Sequence, residues 1–470
     1  MSVAEVRRVS TTKVRPASYI HKLTDHNHRR IDLNPWDLVY LRQIYMQRGL
    51  LFTNSQSLPR QKDEEDMISR LKTSLSYALD HFFPLAGRLG IEKHEDDNTI
   101  SIYINCNSEG AEFIHATADI SIDDIVSQPY TPPGIIDPLF SLNGVMNYEG
   151  RSHPLLAIQI TELRNGVFIG CSTNHSVCDG TSFWRFINLW SEISRSSNYH
   201  TPCPPPVFER WFIRDKDCPI RLPFADEFLV ARNISDAKVQ LFKGHEEKSF
   251  HFTRSSIAKL KARANSEIVS ETNQRTEISS LQAVLAHIWT AVLRARSCLR
   301  GNDDQNEETS FGLVMDNRSK LIPPLPEEYF GNSGSNLLVT AKDGEVLQKG
   351  FGFLASLLNE VVNSVSDEKI RSTFISRTKT PVIFINSGDE AGVPKKNLWA
   401  RGSHRFNMYG NDFGWGRPIA VKTGMRRKSH GMTTLNEGPV EGSIDIEINL
   451  TIEVFEAMGN DAEFMEALAF

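Results

Sequence analysis

No apolar run in this 470-residue chain approaches the roughly 18 residues that a membrane-crossing helix requires, so no spanning helix is expected. Met1 to Pro16 lacks the apolar centre of a secretory signal, and Leu468-Ala469-Phe470 carries no retention or peroxisomal address; a cytoplasmic location is expected. Arg7, Arg8, Lys13 and Arg15 would suit a transit peptide, but Val6 to Val14 alternates as a first strand does. Cysteine is scarce, with six residues (Cys106, Cys171, Cys178, Cys203, Cys218, Cys298) and no C-x-x-C pair, which argues against a disulfide framework or a zinc site and for reduced thiols. His21, His26 and His28 match no zinc spacing, so no metal site is expected. Excess positive charge is missing too: a net charge of −6 and a pI near 6.2 give no sign of a nucleic-acid or membrane-surface binder, though local basic patches could still receive a phosphorylated ligand. No internal sequence repeat is visible.

What is present suits a globular protein of two domains, because single cores stop growing well below this length. Asn34-Pro35 reads as the cap and first turn of a helix carrying Leu38, Leu41 and Ile44. Met67 to Phe82 has helical periodicity up to Pro84, while Thr99 to Ile104 and Leu155 to Leu163 read as strands. Ser196 to Leu222 contains Pro202, Pro204, Pro205, Pro206 and Pro219 and cannot form a continuous helix or central strand. It reads as a crossover (196–222) between an N-terminal α/β domain (1–195) and a C-terminal one (223–470). In the second half, Lys248 to Thr253, Phe311 to Met315 and Ser443 to Leu450 read as strands, and Ser255 to Asn265, Ser279 to Ala295 and Glu453 to Leu468 as helices; Asp303 to Glu308 is a polar loop.

Four His-x-x-x-Asp spacings occur, and three of them (His21 with Asp25, His28 with Asp32, His115 with Asp119) are not followed by glycine. The fourth, His175-Ser176-Val177-Cys178-Asp179-Gly180, follows the apolar β-forming run Gly166 to Thr173 and precedes Phe183, Phe186, Ile187, Trp190 and Ile193 at helical spacing. Asp179 and Thr181 are both N-cap candidates. His175 thus lies on a strand-to-helix loop, where an imidazole can be held firmly and accept a proton from an alcohol, amine or thiol. The plainer alternative is a satisfied loop histidine with Asp179 as a cap. Cys178 reads as a small packing residue. A second distinctive segment, Gly410-Asn411-Asp412-Phe413-Gly414-Trp415-Gly416-Arg417-Pro418, specifies a tight loop, since glycine reaches backbone angles closed to other residues and tryptophan supplies a rigid anchor.

With these two segments the chain resembles the plant BAHD acyl-CoA-dependent acyltransferases, whose hallmarks are H-x-x-x-D-G and D-F-G-W-G. Trp36-Asp37-Leu38, Gln47 to Phe52, Phe83 to Leu89, Asp316-Asn317-Arg318 and Tyr329 to Asn332 extend the resemblance over nearly the whole length. It implies an α/β fold of two similar chloramphenicol-acetyltransferase-like domains with mixed sheets, joined by a long crossover, with an active-site channel between them. It also implies a monomer that takes acyl-CoA as co-substrate and a small-molecule acceptor, with no permanently bound cofactor. His175 would be the general base of a direct transfer to a hydroxyl or amine. Asp179 would point away and pair with Arg318, while Gly180, Asp412, Gly414 and Trp415 support the site; a direct role for Asp412 stays open. For coenzyme A, candidates are Arg254, Ser255, Lys259 and Lys261 at one helix start and Ser279 and Ser280 at another, because helix N-termini favour phosphate; a solvated charged face is the alternative. Many relatives carry Ser-Trp-x-Arg-Phe/Leu-Pro before the second hallmark, whereas this chain has Gly402-Ser403-His404-Arg405-Phe406-Asn407 after a Gly388 to Asn397 loop containing Lys395 and Lys396, so acceptor contacts do not carry over. Two rivals remain, a lyase or intramolecular acyl shift that needs no coenzyme A, and a non-catalytic binding protein. The identities of donor and acceptor depend on pocket shape, which motifs do not encode.

Overall fold

Alternation in Val6–Val14 makes the first strand (β1), which pairs antiparallel with β6 (Ala111–Ala118) at the edge of a six-stranded mixed sheet. A computed structural model describes residues 5–22, 29–53, 64–126, 133–196, 204–210, 219–223, 244–272, 277–300, 307–384, 397–424 and 430–468. The sheet continues through β7 (Leu156–Glu162), β8 (Gly166–Thr173), β3 (Met46–Thr53) and β13 (Ala420–Thr423), and only β6 and β7 run parallel. β8 is buried along its whole length, as an apolar run in a central strand must be. A three-stranded sheet of β2 (Arg29–Asp32), β5 (Thr99–Cys106) and β4 (Arg88–His94) flanks it. Helices Glu64–His81 and Gly180–Ser196 contribute apolar residues to the first core.

The second half repeats the plan. Its six-stranded sheet runs β11 (Gly334–Lys342), β10 (Glu308–Asp316), β12 (Leu398–Gly402), β14 (Met432–Glu437), β15 (Ile444–Thr451) and β9 (His245–Phe252), with β12 parallel to both its neighbours. Helices Arg254–Thr272, Ser280–Arg300 and Phe351–Asn363 supply the second core.

Four readings need correction. The helix after Asn34 is a single turn, Pro35–Leu38, closed by a capping box between Asn34 and Asp37. Past Leu38 the chain continues in three-residue turns, with Tyr40 N, Leu41 N and Gln43 N donating to the carbonyls of Asp37, Leu38 and Tyr40, while Asn147 Nδ2, Tyr148 N and Asn147 N donate to the carbonyls of Tyr40, Leu41 and Gln43. The last helix is two, Ile452–Gly459 and Ala462–Leu468, split where the Asp461 carboxylate accepts from Phe464 N and begins a new helix. The helix expected over 255–265 runs Arg254–Thr272. Finally, the segment assigned to the C-terminal domain around Asp412 returns to the first sheet: β13 pairs with β3, and Phe413 and Trp415 pack edge-on to Phe52.

The described parts of the crossover are extended. Val207 N donates to Glu328 O, and Val207 O accepts from Phe330 N; Leu222 bridges Ile100. Pro202, Cys203, Cys218, His26, His28, Lys395, Lys396, Asp303 and the Ala469-Phe470 end lie outside the described residues. No described helix is long and apolar enough to cross a membrane, and no described group of histidine, cysteine and acidic residues is arranged to hold a metal.

Candidate active site

β8 ends at Thr173 and the helix begins at Gly180, so His175 sits on the six-residue loop between them, partly exposed. Its main chain is held from two sides. His175 N donates to Asn147 Oδ1 at 2.7 Å, and its carbonyl accepts from Asn332 Nδ2 at 2.9 Å. Within the loop, Asn174 Oδ1 accepts from Ser176 N, and Asn174 Nδ2 donates to Asn147 O. The imidazole stacks on the Tyr40 ring with centroids 4.0 Å apart and an 11° interplanar angle. Burial pushes the Tyr40 phenol up to about 12, so it stays neutral at physiological pH.

Asp179 turns toward the second half. Its oxygens accept Arg318 Nη1 at 2.8 Å and Nη2 at 3.0 Å, a bidentate pair, and also Ser333 N and Ser182 N. Ser182 is the third residue of the helix that Gly180 opens, so Asp179 also caps that helix. Burial alone would raise the Asp179 carboxyl, but the Arg318 charge and hydrogen bonds hold it below its usual range, and Arg318 is raised in turn. Arg318 further donates to the carbonyl of Gly331 and to Asp316. Desolvation and the nearby Asp179 charge raise Asp316, against Arg318 pulling it down.

A second buried ion pair lies behind the loop. Arg210 Nε is 3.0 Å from Asp37 Oδ2, with both side chains almost completely enclosed. Asp37 Oδ1 accepts from Asn332 Nδ2 at 2.9 Å, the same amide that holds the His175 carbonyl, and Arg210 donates to the carbonyls of Val177 and Phe330. Burial pushes the Asp37 carboxyl up, with the Arg210 charge opposing it. Gly180 is required for close approach: a Cβ there would stand 2.9 Å from the Phe406 ring. Cys178 is fully buried and its thiol is pushed up by that burial, which suits packing rather than nucleophilic attack.

Asp412 Oδ1 accepts three backbone amides, Gly414 N at 2.7 Å, Gly416 N at 2.9 Å and Trp415 N at 3.0 Å. The turn needs glycine, since Gly414 and Gly416 have φ of +99° and +87°. Phe413 packs on Trp190 of the helix that follows His175, and its carbonyl accepts from Arg70.

The six residues suggested for coenzyme A are not gathered at one point. Arg254, Ser255 and Lys259 are exposed on one helix, with Arg254 against Gly442 in the β14–β15 hairpin. Lys261, about 10 Å along the axis from Arg254, pairs with Glu277 at 3.1 Å. Ser279 caps the next helix by exchanging hydrogen bonds with Gln282, and Ser280 follows it as the first helical residue. Among the other His-x-x-x-Asp spacings, His115 pairs with Glu162 across neighbouring strands. Tyr40, Asn147 and Arg210 carry no signal in the sequence that marks them as site residues. Each reaches the loop from a distant part of the chain, and no local pattern marks them.

The chain matches the Transferase family over residues 4–465. It is 37% identical to an uncharacterised acetyltransferase of Arabidopsis thaliana, over 99% of both chains. It is 31% identical to the BAHD acyltransferase DCR of the same plant, over 98% of this chain and 92% of that one. Among solved structures, vinorine synthase superposes with a TM-score of 0.70 at 20% identity, over 99% of this chain and 98% of that one. TRI101 of F. sporotrichioides, solved with coenzyme A and T-2, gives 0.70 at 17% identity over 93% and 98%. The fold is therefore that of the two-domain acyltransferases. This chain belongs to the plant BAHD acyltransferase family and is an acyltransferase enzyme.

Proposed function

We propose that this enzyme moves an acyl group from coenzyme A to the hydroxyl or amine of a small plant metabolite, with His175 as general base. One observation carries the reading: His175 is fixed through its own backbone by Asn147 and Asn332 and through its ring by Tyr40, on a loop that Asp179 and Arg318 lock. Such bracing leaves the imidazole orientation little freedom, which proton transfer requires. The imidazole takes the acceptor proton as that atom adds to the thioester carbonyl. Collapse of the tetrahedral oxyanion expels coenzyme A, whose sulfur regains the proton from the imidazolium. The buried, pKa-raised Cys178 supports direct attack rather than an acyl-cysteine intermediate.

Asp179 acts on this chemistry by positioning. Its carboxylate is spent on Arg318 and on backbone amides, so it holds the loop. Asp412 gathers its three amides in the same way and shapes the second-half loop against Trp190. The exposed basic residues Arg254 and Lys259, with Ser255, would meet the coenzyme A phosphates, and Lys261 with the helix start at Ser279 and Ser280 is the neighbouring alternative.

The test is release of free coenzyme A from acyl-CoA and a plant metabolite extract. Release is expected from the wild type, with His175→Ala reduced about 10²- to 10⁴-fold while it melts at the same temperature. Turnover that persists when coenzyme A thioesters are removed would instead identify a lyase or internal acyl shift.

A further inference from the structure

Tyr40 follows the single turn Pro35–Leu38, and its ring lies nearly parallel to the His175 imidazole, with centroids 4.0 Å apart and planes inclined by 11°. One buried side chain ties the two residues together. Asn147 Oδ1 accepts from His175 N at 2.7 Å while Asn147 Nδ2 donates to the Tyr40 carbonyl at 2.8 Å, so a single planar amide fixes the spacing of the two main chains. Phe384 meets the Tyr40 ring at 78° with centroids 6.4 Å apart. Its amide donates to Val39 O and its carbonyl accepts from Gln43 Nε2, on either side of Tyr40 in the chain. The stack is therefore set by contacts from two distant segments.

A ring in this position acts differently on the two forms of the base. The neutral imidazole gains dispersion from the phenol, whereas the imidazolium brings a delocalised positive charge over the negative face of an aromatic ring, within the roughly 6 Å at which that attraction operates. The imidazolium forms as His175 takes the acceptor proton, so the contact strengthens toward the transition state. The charged groups around the stack are largely engaged with one another. Asp37 faces Arg210 of the crossover, Asp179 and Asp316 share Arg318, Glu149 accepts from Met146 N, and Arg151 donates to the Tyr148 hydroxyl. Burial keeps the Cys178 thiol and the Tyr45 phenol neutral, and Arg377 and Arg401 add positive charge at Tyr40. Against this background the Tyr40 face, in direct contact with the imidazole, supplies an attraction that only the charged ring feels in full.

We infer that Tyr40 is a positioning residue that raises the basicity of His175 by holding the imidazolium against its ring face. This rests on the reading of His175 as the base of acyl transfer. It gives the stack an electrostatic task besides orientation: the proton taken from the acceptor is held on the imidazole until the departing sulfur of coenzyme A receives it.

The experiment replaces Tyr40 in the full chain by phenylalanine bearing no, one, two or three ring fluorines, which withdraw charge from the face while nearly preserving its shape. The titration of His175 is read from its imidazole Cε1 proton by NMR, assigned by the signal that His175→Gln removes. The His175 pKa is expected to fall with each added fluorine, by about half a unit or more across the series, at an unchanged melting temperature. Tyr40→Leu, which removes the face, should lower the pKa at least as far and reduce kcat for coenzyme A release about two- to fivefold with KM unaltered. A pKa that ignores the fluorine count overturns the inference, since packing alone would then explain the stack. So does a Tyr40→Leu effect confined to KM, which would make Tyr40 a substrate contact. The titration needs no turnover. If it follows the fluorine series while no thioester ever releases coenzyme A, the transferase reading fails and the role of the stack stands; if coenzyme A is released through His175 and the series is flat, the transferase reading stands and the inference fails.

Discussion

At the residue scale, the cost of a buried charge decides what the Asp179–Arg318 pair is for. Its two hydrogen bonds of 2.8 and 3.0 Å close a contact between halves of the chain 139 residues apart. Arg318→Ala would strand Asp179 without its cation, and we expect a loss of about 3 to 5 kcal/mol in unfolding free energy, with coenzyme A release falling as the His175 loop loosens. Asp179→Asn keeps the helix cap and should cost less than Arg318→Ala; equal melting temperatures for all three proteins would refute a locking role. His287 is a different case, a histidine wholly buried in the second core among the Phe252, Phe351 and Phe464 rings. Burial lowers it from 6.5 to about 4, with Glu463 opposing and Arg294 and Arg263 adding to the effect. As pH falls through that window the unfolded chain takes up a proton that the folded chain refuses. Stability is therefore undiminished above about pH 6.5 and declines toward pH 4, by about 3 kcal/mol in total. His287→Phe should flatten this part of the profile, which melting curves at pH 7 and pH 4.5 would detect.

At the scale of elements, the Asp412 loop can be tested by what its carboxylate oxygen gathers. Asp412→Ala frees three amides at once and should lower the melting temperature by the equivalent of about 1 to 3 kcal/mol, whereas Asp412→Asn retains the accepting oxygen and most of the stability. If the asparagine variant keeps its stability but loses kcat, the carboxylate has a chemical role beyond the turn. The elements also mark what sequence can encode. β8 runs over Gly166–Thr173 as its apolar residues indicate, and the helix after Gly180 follows its 3.6-residue period, because both signals are local. The stretch expected to be a helix through Leu41 and Ile44 is instead tied to a distant one: Asn147 and Tyr148 donate to the carbonyls of Tyr40, Leu41 and Gln43, and nothing near Leu41 announces a partner about a hundred residues away. Tyr40 is illegible in the sequence on the same ground. Its importance lies in a ring stacked on His175, and such a contact has no spacing to read.

At the scale of the molecule, the two sheets are alike in size but not independent. β13 leaves the second half to pair with β3 at the edge of the first sheet, residue for residue from Ala420↔Leu51 to Thr423↔Arg48. Phe413 and Trp415, carried by the same segment, fill the space beside Phe52 and Trp190. The first sheet therefore takes its last strand, and part of its core, from residues more than 360 positions after β3 in sequence. Domain boundaries drawn along the chain at the proline-rich crossover miss this, because composition marks where a linker runs and not which sheet a later strand joins. The exchange has a consequence for folding. A fragment ending at residue 223 would leave β3 as an unpaired edge, with Leu50, Leu51 and Phe52 exposed along an otherwise buried strand. We expect it to aggregate when expressed alone and to elute as large species on size exclusion. Supplying residues 224–470 in trans, and so restoring β13, should return soluble heterodimer with His175-dependent release of coenzyme A. A fragment that is monomeric, soluble and cooperatively folded on its own would show that the borrowed strand is dispensable. The likeness of the two halves would then reflect two separately stable units rather than one interlocked molecule.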